Sequence, residues 1–308
     1  MTLSGSTDVS MTRDTIIAEA LELLGVYAAG ETIATADYTT CAVTLENMTK
    51  FWASIGVGLW KYQEIAVFQS YGGYEYDIGL TGDHATSSYV KTEIKTAAAA
   101  AATSIVVDSI TGITDGDYIG IELDDGTLQW TTIDGTPSSY TIALDDALTD
   151  SVAVDNHVYT YTTKTARPLS ISNPRLHYGD GDSEIPLDLV TRKDYFELPD
   201  KTTTGEAYRV FYEPLLANGK LYVSDACGDV KNWLVMTAKV QFDDFDSSDV
   251  TPDFPQEWFV PITYNLAMFV APKFKATPSQ IVTSIAAESF SALRKFDKSY
   301  APVFMRPA

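Results

Sequence analysis

Apolar positions near the start of the chain recur every three or four residues. Ile16, Ile17, Ala20, Leu21 and Leu24 share one helical face, and Thr12 stands where a capping hydroxyl belongs. A second stripe of Cys41, Leu45, Met48, Trp52 and Ile55 alternates steps of four and three, the spacing that keeps one face on a partner helix. Gly25 and Gly30 loosen the end of the first helix, and Gly56 and Gly58 stop the second. Residues 12–58 are therefore predicted to form a helical hairpin behind a mobile polar segment, residues 1–11.

From Glu64 the helical period disappears. Ala97–Ala102 reads as a connector or strand lead-in, because β-branched Ile105, Val106 and Val107 follow it closely. Ile119, Ile121 and Leu123 alternate with Tyr118, Gly120 and Glu122, the pattern of a half-buried strand. Asp125-Gly126 marks a hairpin turn before Leu128, Trp130 and Thr132. Asp134-Gly135 marks another turn, with a strand at Tyr140, Ile142 and Leu144 and further strand at Val152–Tyr161. This spacing of turns predicts a small all-β barrel or sandwich over residues 95–163. Beyond it, Thr191–Leu198 reads as a short helix ended by Pro199. Tyr208–Glu213 and Lys220–Val223 flank the hairpin signal Asn218-Gly219, and Val230–Phe242 alternates as a long strand.

The last third returns to helical spacing. Asp253 and Gln256 form a capping pair around Pro255, and Trp258, Ile262, Leu266, Phe269 and Val270 make a stripe. Thr277-Pro278-Ser279-Gln280 has the form of a capping box, followed by Val282, Ile285, Ala286, Ser289, Leu293 and Phe296. Helices at both ends with β between them predict an α+β fold. N- and C-terminal helical hairpins pack into one body with a β-ribbon, covering residues 12–94 and 164–297, and the β domain of residues 95–163 is inserted into it. Trp52, Trp258, Ile262, Leu266 and Phe269 are the expected anchors of that body.

Composition narrows the function classes. The chain has 308 residues, 45% of them hydrophobic, so it can bury a large core. No apolar run reaches the roughly 18–20 residues needed to span a bilayer, and the start lacks a secretory signal. Assembly in a cytoplasm with no membrane attachment is the expectation. Formal net charge is −21, which opposes persistent nucleic-acid binding. It serves solubility, or the lining of a conduit through which DNA passes without sticking.

Candidate chemistry is sparse. Cys41 and Cys227 make neither a disulfide framework nor a zinc site. His84, His157 and His177 lack ligand spacing and are expected to be structural. Gly179-Asp180-Gly181-Asp182 and Asp243-Asp244-Phe245-Asp246 read as solvated loops, with calcium the alternative. Glu19, Glu22, Glu46 and Glu288 read as exposed helical acids, and Arg192-Lys193 and Arg294-Lys295 as isolated basic pairs. Neither catalytic residues nor cofactor or metal ligands are expected.

Four segments carry a resemblance. TRDTIIAEALELLGVYAAGET and LENMTKFWASIGVGLW open the chain. RKDYFELPDKTTTGEAYRVFYEP contains a Tyr-Phe-x-Leu-Pro motif, and DFPQEWFVPITYNLAMFVAPKF places an acidic-Pro-aromatic start before Asn-Leu-Ala. Together they resemble the head-to-tail adaptor, or packaged-DNA stabilisation, proteins of short-tailed bacteriophages over residues 12–75 and 165–298. The β insertion departs from the smaller members of that family.

The resemblance implies a virion protein at the head–tail junction, assembled in the host cytoplasm. A ring of twelve copies would dock under the portal, extend the DNA channel, help retain packaged DNA and receive the tail nozzle and fibres or spikes. It also implies that the tail of residues 298–308 reaches the portal through Lys298, Ser299, Tyr300, Pro302, Val303, Phe304, Met305 and Arg306. The insertion is expected to face outward, so that deleting residues 95–163 leaves the ring intact. Two rival readings are a virion-associated peptidoglycan hydrolase using paired carboxylates and a glycan-binding module built on residues 95–163 around Trp130.

Overall fold

A computed structural model describes residues 11–55, 62–181, 183–240 and 256–296. The fold is mixed α+β, and the chain divides into two compact units. One joins both chain ends, Met1–Trp60 with Gln241–Ala308, and the other is Lys61–Val240.

The first unit is helical among the described residues. Helix α1 (Arg13–Leu23) starts where Thr12 Oγ1 accepts from Thr15 N at 3.3 Å. Helix α2 (Thr35–Ser54) buries Cys41, Leu45, Met48 and Trp52. Ile55 lies past its end and is 41% exposed, so the stripe is one residue shorter than its spacing suggests. Arg13 Nε donates to Tyr38 Oη at 2.8 Å, and the Tyr38 hydroxyl donates to Asp14, which ties α1 to α2.

Two further helices follow the short α3 (Arg192–Phe196) of the other unit: α4 (Phe259–Val270) and α5 (Gln280–Phe296). Helix α4 packs against α1, α2 and α5 and buries Ile262, Leu266, Ala267 and Val270. The Trp52 ring meets Trp258 edge-on at 5.9 Å and Phe290 at 5.0 Å, so residues from both chain ends share one core. Asn265 Nδ2 donates to Ala286 O at 3.2 Å and to Pro261 O at 2.8 Å, linking α4 to α5.

Three sequence expectations change here. Phe269 is 45% exposed and anchors nothing, because α4 turns its buried face toward Ile262, Leu266 and Val270. Helix α5 begins at Gln280, and its cap is Ser279, whose Oγ accepts from Val282 N at 3.3 Å, rather than Thr277. Trp258 stands at the N-cap of α4 without a side-chain capping bond, at the end of a 3₁₀ turn at Gln256–Trp258. Gly56, Gly58, Phe242, Asp253 and Pro255 lie outside the described residues, as does the tail of residues 298–308.

The second unit is a set of mainly antiparallel sheets around one shared wall. That wall has five strands in the order Glu184–Pro186, Ser170–His177, Trp233–Lys239, Tyr62–Phe68, Ala85–Thr86. Its two longest-paired strands run Tyr62↔Lys239 to Phe68↔Trp233. Alternation sends Ile65 and Val67 to one face, with Leu234 and Met236. Ala66 and Phe68 go to the other, with Trp233 and Val235.

Each face of the wall has its own core. The first packs on a four-stranded sheet ordered Asp188–Leu189, Arg209–Pro214, Gly219–Val223, Glu75–Ile78, through Val210, Leu221, Val223 and Ile78. The second packs on a curled, six-stranded half-barrel ordered Leu128–Thr132, Tyr118–Glu122, His157–Tyr161, Val90–Thr96, Ser104–Val107, Thr141–Ala143. An Ile133↔Leu144 bridge joins continuations of its outermost strands. Ile94, Ile105, Ile119, Ile121, Ile142 and Val158 fill its interior.

Local corrections have local causes. Ala98 makes a single bridge to Val152, so the alanine run is a connector. Tyr140 is exposed with φ +66° and precedes its strand. Pro214 pairs with Gly219, so Asn218 sits inside a longer loop rather than a two-residue turn. Gly219 is required by space: a Cβ there would lie 1.9 Å from Tyr212 Oη, which donates to Pro168 O at 2.6 Å.

The Trp52 contacts predict a measurable asymmetry between two aromatic positions. Trp52→Ala should lower unfolding free energy by about 3–5 kcal/mol, whereas Phe269→Ala should stay within about 0.5 kcal/mol. Denaturant unfolding of the two variants beside the parent chain checks this.

Candidate interaction surfaces and the aromatic seam

Between the wall and the half-barrel runs a seam of aromatic rings. Phe68 is at its centre, with ring centroids 4.9 Å from Tyr159, 5.3 Å from Trp130 and 5.5 Å from Tyr89. Tyr161 and Trp233 each lie 6.3 Å away. Strand alternation supplies the half-barrel's contribution: Val158 points inward, while His157, Tyr159 and Tyr161 point to the seam. Gly120 pairs with Trp130, whose ring covers it, and a Cβ at Gly120 would come within 2.7 Å of that ring. The Tyr118–Glu122 strand is thus packed on both faces, not half-buried as its alternation suggests.

The three histidines, far apart in sequence, all meet this seam. His84 stacks on Trp130 at 3.8 Å and 4°, and its Nδ1 is 2.6 Å from Tyr161 Oη. Burial, helped by the Lys164 charge, lowers its pKa to about 3 and keeps the ring neutral. His177 packs 4.2 Å from Trp233. His157 is 3% exposed, with Nδ1 3.2 Å from Glu122 and Nε2 3.7 Å from both Glu93 and Asp180.

Around His157 the seam has a polar end. Lys231 Nζ lies 3.8 Å from both Glu122 and Asp180, and Tyr159 Oη donates to Lys231 O at 2.9 Å. Burial raises the Glu122 pKa, but bonds from the His157 side chain and backbone and the Lys231 charge outweigh it and hold the carboxyl below its usual range. Among the described residues no group of three or more His, Cys, Asp or Glu side chains has geometry to hold a metal ion. Asp182 and Asp243–Asp246 lie outside those residues.

Clefts are modest. One of about 230 Å³ is lined by Gln69, Leu176, Ala207, Cys227 and Asn232. Burial pushes the Cys227 thiol up to about 11, and the Cys41 thiol equally, so neither is a ready nucleophile. Another, of about 560 Å³, lies beside α3 with Asp188, Asp194, Glu197 and Arg209 on its walls. Glu19, Glu22 and Glu288 are exposed and Glu46 is partly exposed on their helices, and Arg192, Lys193 and Arg294 are exposed.

Apolar surface is the more informative feature. The helical unit exposes Val43, Phe51 and Ile55 from α2 and its end, Val260 and Phe269 from α4, and Ile281 from α5. The β unit exposes Leu80, Leu215, Leu216 and Phe196. Of the expected anchors, Trp52, Trp258, Ile262 and Leu266 are buried in the helical unit. Trp130 stacks its ring on His84 and covers Gly120, the packed position that a Trp in a hairpin commonly takes.

Removing residues 95–163 takes away Trp130, Tyr159 and Tyr161 and bares Ala66, Phe68, Trp233 and Val235. The deletion therefore strips one core of the wall and is no neutral excision. No helix among the described residues is long and apolar enough to cross a membrane.

Two measurements test the seam. Phe68→Ala should cost about 3–5 kcal/mol of stability in the β unit. His84 has a folded pKa below its unfolded one, so its share of stability is present above about pH 6.5 and is lost as pH falls toward about 3. His84→Phe should flatten the decline in unfolding free energy across that window, measured by denaturant titration at a series of pH values. Compared with protein-family models and with curated proteins, the chain matches none.

Proposed function

We propose that this chain is a structural virion protein, a head-to-tail adaptor that forms a ring of twelve copies beneath the portal of a short-tailed phage. The observation that carries the reading is the core shared by the two chain ends. Trp52 from one resembling segment packs on Trp258 from another, and α4 with its Asn-Leu-Ala run joins α1, α2 and α5. Those are the segments in which the resemblance lies.

Supporting physics is of two kinds. The helical unit keeps Phe51, Phe269 and Ile281 exposed, which suits contact with further subunits. The net charge of −21 gives a ring whose lumen does not hold phosphates, so DNA passes without sequence-specific binding. In this reading the half-barrel is an insertion into the adaptor body, the tail of residues 298–308 engages the portal, and nozzle and fibre or spike proteins attach below. The protein has no catalytic role.

Mixing the purified chain with portal rings and weighing the particles by mass photometry tests this directly. The expected product is one portal ring carrying twelve copies, lost when residues 298–308 are removed. A chain that stays apart from the portal, or that clears cell wall in a zymogram, contradicts the proposal.

A further inference from the structure

The chain joins the half-barrel to the wall at one end of the seam only. Its two crossings, residues 86–90 and 161–165, lie at the Tyr161 end, where Val90 pairs with Thr160 and Thr165 N donates to Ala85 O. His157 opens the same strand four residues away, roughly 13 Å along it. At that far end only non-covalent contacts hold the half-barrel down.

His157 is buried there among acids from both sides of the seam. Its Nδ1 lies 3.2 Å from Glu122 of the half-barrel. Its Nε2 lies 3.7 Å from Glu93, also of the half-barrel, and 3.7 Å from Asp180. Asp180 belongs to the turn between the wall strands Ser170–His177 and Glu184–Pro186. That turn fits closely. Gly179 N donates to Asn232 Oδ1 at 3.2 Å, Lys91 Nζ donates to Gly179 O, and a Cβ at Gly179 would fall 2.2 Å from Lys231 O.

The count of donors decides what the ring can do. A neutral imidazole has one N–H and one bare nitrogen, and here either nitrogen, left bare, faces a carboxylate that has no proton to offer. An imidazolium carries an N–H on each side. Charge points the same way. Among the described residues the ring is surrounded by Glu93, Glu122, Asp180 and Asp229, which accepts from Lys231 N, against Lys91 and Lys231. Tyr159 beside it donates its hydroxyl to Lys231 O. Four carboxylates outnumber two ammonium groups, and a proton on His157 reduces the excess.

We propose that His157 is a proton-driven latch: protonated, it bridges Glu122 of the half-barrel to Asp180 of the wall turn and fastens the far end of the seam, and on losing the proton it lets the turn open. The latch lies within the second unit and does not depend on copies forming a ring. A proton that fastens it binds the closed form more tightly than the open one, so closure is favoured as pH falls and lost as pH rises. His84, at the other end of the seam, works in the opposite sense, since its share of stability is lost as pH falls.

Hydrogen exchange at the Gly179 amide of the full-length chain, followed by NMR and corrected for the intrinsic rate, tests the latch between about pH 5, above the ordinary carboxylate range, and about pH 8. The opening constant of the parent should rise about tenfold over that window, the low end for a hydrogen bond to a charged group. His157→Gln, and Asp180→Asn at an exposed side chain, should each remove most of that rise. Should His157→Gln fail to fold, Asp180→Asn decides by itself. A parent opening constant that is flat or falls as pH rises overturns the latch, as does an undiminished rise in Asp180→Asn or in folded His157→Gln.

Discussion

Trp52 lies between Trp258 and Phe290, and through that contact the two ends of the chain become one core. The constraint is topological as well as energetic. Once residues from α2, α4 and α5 share a core, everything from Lys61 to Val240 must leave that unit and return to it. The intervening chain is then free to fold on its own terms, and it does so as sheets. A buried aromatic of this size contributes several kcal/mol, comparable with much of a domain's net stability. The caps at Thr12 and Ser279, each worth about 1 kcal/mol, fix where helices begin rather than whether they form.

Within the β unit the corresponding role belongs to the wall. Its central strands are apolar on both sides, since each face meets a different sheet. Ile65 and Val67 serve one core while Ala66 and Phe68 serve the other, so one strand of seven residues takes part in both. The half-barrel fills its own interior with aliphatic residues and turns its aromatic face to the wall. It is an insertion in sequence and a partner in packing. The neutral His84, stacked on Trp130, belongs to that packing and shows how burial can turn an ionisable ring into a core side chain.

In the proposed function, chemistry resides in surfaces instead of reacting groups. The buried thiols are held protonated by their surroundings. Lys231 lies between the Glu122 and Asp180 carboxylates at the edge of a packed seam. The described residues also leave apolar side chains exposed: aromatics on α2, α3 and α4, and leucines at loop tips. An acidic chain keeps separate copies soluble through mutual repulsion, and local apolar contacts decide where copies can still meet.

Helical periodicity by itself determined the buried stripes of α1 and α2 and most of α4, because a helix face is defined by residues four or fewer positions apart. Thr191 at the start of α3, and the turn at Asp125-Gly126, were legible for the same reason. Strand content was equally plain, but strand partnership was not. Phe68 meets Trp130, Tyr159 and Trp233 across separations of tens to more than a hundred residues, and no local spacing encodes that meeting. Only the tertiary structure decided that Gly120 yields to Trp130 and Gly219 to Tyr212, that three scattered histidines share a seam, and that Phe269 faces outward. In each case the deciding quantity is which surface arrives opposite, and sheets set that through non-local pairing.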